Sequence, residues 1–97
     1  MPTYVTLLKW TDQGIRNIKE SPRRLEAARE TMREAGGNLR DFYMVMGEYD
    51  LVIVGEAPDD ETYARIMLSI ASRGSVSTTT LKAFSEEEYR RIIASVT

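Results

Sequence analysis

The sequence contains no histidine and no cysteine. This absence removes the most common protein ligands of zinc, copper and haem iron. It also excludes disulfide bonds and the Ser-His and Cys-His pairs that serve as activated nucleophiles. Catalysis would therefore have to depend on Asp, Glu, Tyr, Lys, Arg, Ser or Thr, or on a bound cofactor. We predict no cofactor and no metal.

Long hydrophobic runs and an excess of positive charge are also missing. No apolar run approaches the roughly 18–20 residues that span a bilayer, and the N-terminus lacks the pattern of a signal peptide. We therefore expect a cytoplasmic protein that does not contact membranes. Thirteen Lys and Arg residues are outnumbered by fifteen Asp and Glu residues. This balance disfavours nucleic acid as a partner, because phosphate backbones are normally bound by basic patches.

The chain has the length and composition of one folded domain. Its 97 residues are 42% hydrophobic and 29% charged, which is typical of globular proteins. We assign residues 1–97 to a single domain. In the middle of the chain, two apolar runs flank Gly47-Glu48, and this pattern predicts a β-hairpin with its turn at these two residues.

Two strands and two long helices are predicted around this hairpin. Thr3–Trp10 alternates with period two and has apolar residues on both faces, as a central strand does. Ser21-Pro22 is a helix start, with Ser21 as the predicted N-cap, and this helix ends at Gly36-Gly37. Pro58-Asp59 begins the second helix. Val76–Phe84 is rich in threonine and is predicted to be an edge strand.

A short amphipathic helix is predicted at the C-terminus. Ser85 and Glu88 form a capping-box pattern, and apolar residues then recur at helical spacing up to Val96. The whole order is βαββαβ with an extra C-terminal helix, which is the ferredoxin-like α+β plan with a four-stranded antiparallel sheet. Both long helices then cover one face of the sheet. The other face carries apolar side chains without cover, and we expect a second copy to stack on it as a dimer.

The chain resembles the GYD domain family. The residues that carry the resemblance are spread over the whole chain: Trp10, Thr11, Gly14, Ser21, Pro22, Arg24, Gly37, Gly47, Tyr49, Asp50, Ala57, Pro58, Asp59, Asp60, Gly74, Thr80, Leu81, Ala83 and Phe84. The resemblance implies a dimeric α+β barrel, that is, a ferredoxin-like domain assembled as a homodimer or a multiple of dimers. It implies no particular activity.

Six residues are candidates for a ligand-binding site. Tyr49 and Asp50 lie at a strand start, where the carboxylate could act as a general base or anion and the phenol as a hydrogen-bond donor. The alternative is that Asp50 only sets the geometry of the turn. Trp10 could line a pocket, and Lys9 or Arg24 could bind an acidic ligand. Thr11, which follows Trp10, is the last of the six candidates.

Two other patterns have plainer structural interpretations. Asp59-Asp60-Glu61 could bind Mg²⁺ or Ca²⁺ through oxygen atoms, but the spacing matches no metal-loop motif and helix capping explains it better. Tyr4 and Tyr43, with Met44 and Met46, could line a flavin- or haem-sized cavity. Stripes of methionine and aromatic residues more often belong to the core.

Three functions follow as hypotheses. The favoured one is a homo-oligomer that binds a small molecule in a pocket between the sheet and the helices. The second is a small cofactor-independent enzyme that uses Asp, Tyr or Lys, because proteins similar to the dimeric α+β barrels include monooxygenases and isomerases. The third is a structural or accessory oligomer.

Overall fold

A computed structural model describes all residues from Met1 to Thr97. The strands are β1 (Thr3–Trp10), β2 (Asn38–Met44), β3 (Leu51–Glu56) and β4 (Val76–Ala83). The helices are α1 (Asp12–Arg16), α2 (Ser21–Glu34), α3 (Asp60–Ala71) and α4 (Glu86–Ala94), with a 3₁₀ turn at Ile18–Glu20. No helix is both long and apolar enough to cross a membrane.

The four strands form one antiparallel sheet in the order β2-β3-β1-β4. This order confirms the predicted ferredoxin-like α+β architecture, with β1 in a central position and β4 at an edge. In the middle of the sheet, Val5 pairs with Val54 on β3 and with Leu81 on β4. Because side chains alternate along each strand, these three residues lie on the same face.

The core lies between the other face of the sheet and helices α2 and α3. On β1, Tyr4, Thr6 and Leu8 are buried and point toward this layer. The ring of Tyr4 stacks on that of Tyr63 from α3, with a centroid separation of 4.0 Å. The buried hydroxyl of Thr6 is 2.7 Å from the phenol oxygen of Tyr63, so both polar groups are satisfied inside the core. Met32 of α2 is fully buried beside them.

The opposite side of the sheet has no covering layer, and we call it the open face. Its central residues are the half-buried Val5, Leu7, Val52 and Val54. Toward the two edges of the sheet, apolar residues are more exposed, with 60% for Tyr43 and 52% for Leu81. The predicted pattern of apolar residues on both faces of the central strands is therefore present.

The predicted tight hairpin turn is wrong. Strand β2 ends at Met44 and β3 begins only at Leu51, so a loop of residues 45–50 joins them. A two-residue type I′ turn needs positive φ angles at both central positions, which Gly47 tolerates and Glu48 does not. Within this loop only Gly47 has a positive φ, of 134°. Met46, which ends the apolar run before Gly47, is 97% exposed on this loop.

The start of α2 also differs from the prediction, whereas its end agrees with it. Ser21 is the first residue of the helix and not its N-cap, since the N-cap is Glu20 and makes no side-chain capping bond. The 3₁₀ turn at Ile18–Glu20 leads directly into α2, and the helix therefore continues from an existing turn. At the other end, Gly36 follows the helix as predicted and adopts a left-handed conformation with φ 85°.

Candidate functional site

A cavity of about 100 Å³ lies between the sheet and helices α2 and α3. Most of its walls are apolar side chains from the four strands and from helices α2 and α3: Leu8, Trp10, Leu25, Ala27, Ala28, Leu39, Phe42, Leu51, Ile53, Ile70 and Val76. Four polar residues complete it: Ser21, Arg24, Arg73 and Ser75. Arg24 and Arg73 are the only charged residues in this lining.

An open groove of about 310 Å³ adjoins the cavity. Residues Trp10, Ser21, Leu25, Phe42 and Leu51 line both spaces, so the two are neighbours across shared walls. The groove is completed at the surface by Ile18, Pro22 and Met44. It therefore lies between the start of α2 and the end of β2.

Trp10 is the residue that links the groove, the cavity and the end of β1. Its backbone N–H donates to the Asp50 carboxylate at 2.9 Å. Its indole Nε1–H is buried and has no hydrogen-bond acceptor in the protein. A buried donor without an acceptor costs on the order of 1–3 kcal/mol.

Two arginines line the cavity without being paired to a carboxylate. Arg24 donates to the backbone oxygens of Asn17, at 2.9 Å, and Gly14, at 3.3 Å. Arg73 donates to the Thr31 hydroxyl at 2.8 Å. Neither guanidinium takes part in a salt bridge, whereas two other arginines at the start and middle of α2, Arg23 and Arg29, do. Both cavity arginines are therefore hydrogen-bonded to neutral acceptors.

The structure divides the six predicted site residues into separate groups. Trp10 and Arg24 line the cavity. Lys9 is exposed on the side of the open face, where its ammonium lies 5.2 Å from the centre of the Tyr49 ring. Thr11 donates its hydroxyl proton to the oxygen of Gly74 at 2.6 Å and caps α1.

Asp50 uses both its side chain and its backbone in the sheet. Its carboxylate accepts from the backbone N–H of Trp10. Its own backbone N–H donates to the backbone oxygen of Leu8 at 2.9 Å, and its backbone oxygen accepts from the N–H of Val45 at 2.8 Å. These contacts match the structural alternative for Asp50, because they hold the end of β1 next to the loop.

Arg73 and Ser75 line the cavity but were not among the predicted site residues. They follow α3 and precede β4, and in sequence they look like an ordinary helix end at Gly74. The register offers a signal, because Val76 pairs with Trp10 in the antiparallel sheet. The residues just before Val76 must therefore lie near the end of β1.

A second polar cluster lies at the far end of β1 and has a structural role. The Tyr4 hydroxyl donates to Asp60, and Lys82 lies 3.1 Å from the same carboxylate. Burial, together with the hydrogen bond and negative charge of Asp60, raises the pKa of Tyr4 above its ordinary value. The hydrogen bonds from Tyr4 and Lys82 lower the pKa of Asp60. A tyrosine with a raised pKa stays neutral at pH 7, so this pair favours a fixed hydrogen bond over proton transfer.

Asp59 acts as a helix cap, in agreement with the capping interpretation of the acidic run. Its carboxylate accepts from the backbone N–H of Thr62 at 2.8 Å, and the hydrogen bonds from Thr62 lower its pKa. No three acidic side chains of the chain come together in a group that could hold a metal ion.

The C-terminal helix exposes a row of apolar side chains, which we call the α4 face. The predicted capping box of Ser85 and Glu88 starts the helix, but no residue of α4 is buried. The α4 face consists of Tyr89, Ile92 and Ile93 on the helix and of Val96 just after its end, which are 57%, 41%, 53% and 69% exposed. Phe84, just before the helix, is 58% exposed.

Comparison with known proteins adds a family and several relatives. The GYD domain matches residues 4–93. A protein of Thermus thermophilus, named glutamine synthetase and cystathionine beta-lyase binding protein, is 45% identical over 84 residues, which are 86% of this chain and 88% of the relative.

Solved structures give a consistent result for the fold. The crystal structure of TTHA0845 from Thermus thermophilus superposes with a TM-score of 0.56 at 28% identity, over 88% of this chain and 95% of that one. A feast or famine regulatory protein of M. tuberculosis, solved with L-methionine, superposes with a TM-score of 0.67 at 16% identity. That match covers 88% of this chain and 51% of the regulator, and it supports the ferredoxin-like fold alone.

Proposed function

Since the chain belongs to the GYD domain family, we propose that it is a small homo-oligomeric binding protein that attaches to an enzyme. The observation that carries this proposal is its 45% identity to a protein named for binding glutamine synthetase and cystathionine beta-lyase. The likeness extends over 86% of the chain, so it includes nearly all of the folded domain. The cytoplasmic location predicted from the sequence is part of this proposal, because the protein and its partner enzyme must share a compartment.

The α4 face is the surface we assign to the partner enzyme. A nine-residue helix is marginally stable on its own in water and usually needs tertiary packing. Nothing in the chain buries Tyr89, Ile92 or Ile93. Tyrosine is enriched among the few residues that supply most of the binding energy of protein complexes, and burial of isoleucine side chains adds to it through the hydrophobic effect. Charged residues such as Glu86 and Arg90, which pair at 2.8 Å, occupy other positions of α4.

The open face is the surface we assign to self-association. It presents apolar residues on central strands, and two such sheets pack well face to face. This assignment leaves the α4 face available to a partner enzyme. The two surfaces can therefore be tested separately by substitutions on each.

The test of the partner proposal measures binding to the glutamine synthetase and cystathionine beta-lyase of the same organism. We expect at least one of the two purified enzymes to bind the wild-type protein in biolayer interferometry. Ile92→Glu, which introduces a charge in the α4 face, should weaken that binding by about 30-fold or more, as loss of a central contact does. Arg91→Gln changes the net charge by the same amount and should bind within about threefold of wild type.

Two results would contradict this proposal. If neither enzyme binds the wild-type protein at micromolar concentration, the partner class is wrong. If an enzyme binds and Ile92→Glu binds equally well, the partner proposal stands and the α4 face is not its site.

A second candidate function is binding of a small molecule in the cavity. One observation favours it, namely the cavity of about 100 Å³ between the sheet and the helices, which Trp10 helps to line. Arg24, also predicted as a ligand-binding residue, lines the same cavity. We propose no catalytic step, because the Asp50 carboxylate is engaged with the backbone of Trp10.

A further inference from the structure

We propose that α4 is helical in only a fraction of the free molecules and completes its folding in an apolar groove of the partner enzyme. The α4 face then becomes the buried side of the helix. This inference rests on the proposed function, binding to an enzyme through the α4 face. It adds that the folding of the helix limits the affinity of that binding.

Tertiary contacts that could stabilise α4 are nearly absent. No residue of α4 is buried, and neither the core nor the partly buried apolar residues packed against it include a residue of this helix. Helix α3, in contrast, has five buried residues among its twelve. The side-chain hydrogen bonds of α4 and its ion pair join only residues 85–95 to one another. The helix therefore depends on its own local interactions.

These local interactions favour the helix but are too weak to hold it. The capping box of Ser85 and Glu88 satisfies N–H groups at the start of α4, and Arg90 pairs with Glu86 at 2.8 Å. Nucleation of a helix has an equilibrium constant on the order of 10⁻³, and each further residue contributes a factor near one. Isolated helices shorter than about 12–15 residues are therefore marginal in water. Because α4 has nine residues, its folded and unfolded forms coexist in the free protein.

The groove that receives α4 must match the helix in length and chemistry. A helix of nine residues is about 14 Å long. Tyr89, Ile92 and Ile93 have the i, i+3, i+4 spacing with which one side of a helix docks in a hydrophobic groove. Glu86 lies three positions before Tyr89 and Glu88 four positions before Ile92, so both carboxylates border this side. We therefore expect an apolar groove with basic residues along its rim.

Folding that is coupled to binding links the affinity to the helix population. When only a fraction of the molecules is competent to bind, the apparent dissociation constant rises in inverse proportion to that fraction. A substitution that changes the helix population must then change the affinity by the same factor, even at a position outside the α4 face. A helix that is fully formed before binding shows no such effect.

The first experiment measures hydrogen–deuterium exchange of the free protein by mass spectrometry. We expect the amides of residues 90–94 to exchange at nearly the rate of an unfolded chain, because opening of α4 exposes no buried residue. The amides of α3 around Ile66 and Met67, which are buried, should exchange far more slowly. Addition of the enzyme that binds, glutamine synthetase or cystathionine beta-lyase of the same organism, should slow exchange in α4.

The second experiment compares two variants at Arg91, two positions after Tyr89 and therefore on another side of the helix. Arg91→Gly and Arg91→Ala remove the same charge and differ chiefly in helix propensity, which favours alanine by about four- to fivefold. Biolayer interferometry on the same enzyme should find Arg91→Gly weaker than Arg91→Ala by about this factor.

Variants of the N-cap provide an independent measurement of the same effect. Ser85→Ala removes the side-chain oxygen that caps α4 and should weaken binding by about fivefold. Ser85→Asp retains a capping oxygen and should bind nearly as wild type does. None of these substitutions changes a buried residue, so slow exchange in α3 should persist in all of them.

The outcomes separate this inference from the partner proposal. Slow exchange of α4 in the free protein would show a preformed helix and overturn the inference, while binding of an enzyme keeps the partner proposal. Equal affinities of Arg91→Gly and Arg91→Ala for an enzyme that binds would also overturn the inference alone. If neither enzyme binds the wild-type protein, the partner class and folding on that partner are both wrong.

Discussion

Asp50 illustrates how one side chain can be assigned only from its contacts. Its residue type and position at a strand start are compatible with a general base. Its carboxylate is instead engaged at 2.9 Å with the backbone N–H of Trp10, the residue that forms a wall of the cavity. A charged acceptor on a backbone donor is among the stronger hydrogen bonds in proteins. Asp50 therefore holds the end of β1, and with it Trp10, in place.

The first prediction concerns the stability that Asp50 provides. Asp50→Ala leaves the N–H of Trp10 without its acceptor and should lower the free energy of unfolding by about 1–3 kcal/mol. Asp50→Asn retains an acceptor and should lower it by less. Urea unfolding followed by circular dichroism measures the difference. Glu48→Gln, an exposed change in the same loop, is the control and should have almost no effect. Equal stability of Asp50→Ala and wild type would refute this role.

The second prediction concerns the dependence of stability on pH. Asp60 has a lowered pKa in the folded protein, so the stability it contributes is present at neutral pH and is lost as the pH falls below about 4. Tyr4 has a raised pKa, so its contribution is present at neutral pH and is lost as the pH rises above about 10.

In a plot of unfolding free energy against pH, Tyr4→Phe should reduce both the loss of stability at acid pH and the loss at alkaline pH. The substitution removes the phenol that titrates and also the hydrogen bond that lowers the pKa of Asp60. Urea midpoints measured across the pH range test this expectation. Tyr43→Phe changes an exposed tyrosine and should keep the wild-type profile. A Tyr4→Phe profile as steep as that of wild type would contradict the assignment.

At the scale of elements, the contact between α1 and the start of β4 positions the connection next to the cavity. Thr11 donates its backbone N–H to the oxygen of Ser75 at 3.0 Å and its hydroxyl to Gly74. Gly14 lies so close that an added Cβ atom would be 2.1 Å from the same Ser75 oxygen. Glycine is therefore required here by the close approach of two backbones, and not by an unusual φ angle.

The third prediction follows from this close approach. Gly14→Ala must displace α1 from β4 and should lower the free energy of unfolding by roughly 1–3 kcal/mol, the range found for overpacked sites. The displacement should also change the fluorescence of Trp10, which is the last residue of β1. Arg16→Ala, on an exposed side of α1, serves as the control. Unchanged stability and fluorescence in Gly14→Ala would show that α1 is not pressed against β4.

At the scale of the whole molecule, the main feature is that two apolar surfaces remain uncovered. The open face lies on the sheet, and the α4 face lies on a helix without buried residues. The molecule measures 51 × 31 × 18 Å, which is elongated and thin for a chain of 97 residues. Patches of this kind on a folded protein mark interaction sites. We expect both surfaces to be covered in the functional assembly.

The fourth prediction tests self-association through the open face. Val52→Lys places a charge in the middle of this face and should convert the expected dimer into a monomer, because burying an unpaired ammonium is costly. Light scattering coupled to size-exclusion chromatography gives the mass in solution. Leu68→Lys makes the same kind of change at a 72% exposed position on α3 and should leave the mass as in wild type. A wild-type protein that is monomeric would refute the prediction.

The sequence by itself determined the four strands, the two long helices, the C-terminal helix, the order of these elements and the architecture. Alternation along Thr3–Trp10, the capping box at Ser85 and the glycine that ends α2 are local signals, because they depend on residues within one or two turns of the chain. With the βαββαβ order, the general rules for connections between strands and helices then lead to one antiparallel sheet with helices on one face. The structure confirms each of these predictions.

Only the tertiary structure decided which side chains meet. Trp10, Arg24 and Arg73 come from three different parts of the chain, and their convergence on one cavity depends on strand register and helix packing. The same is true of Asp50, whose partner is forty positions away. Local sequence patterns carry the balance between apolar and polar faces of an element. They do not determine the distance between two elements, because this distance depends on how the whole core packs.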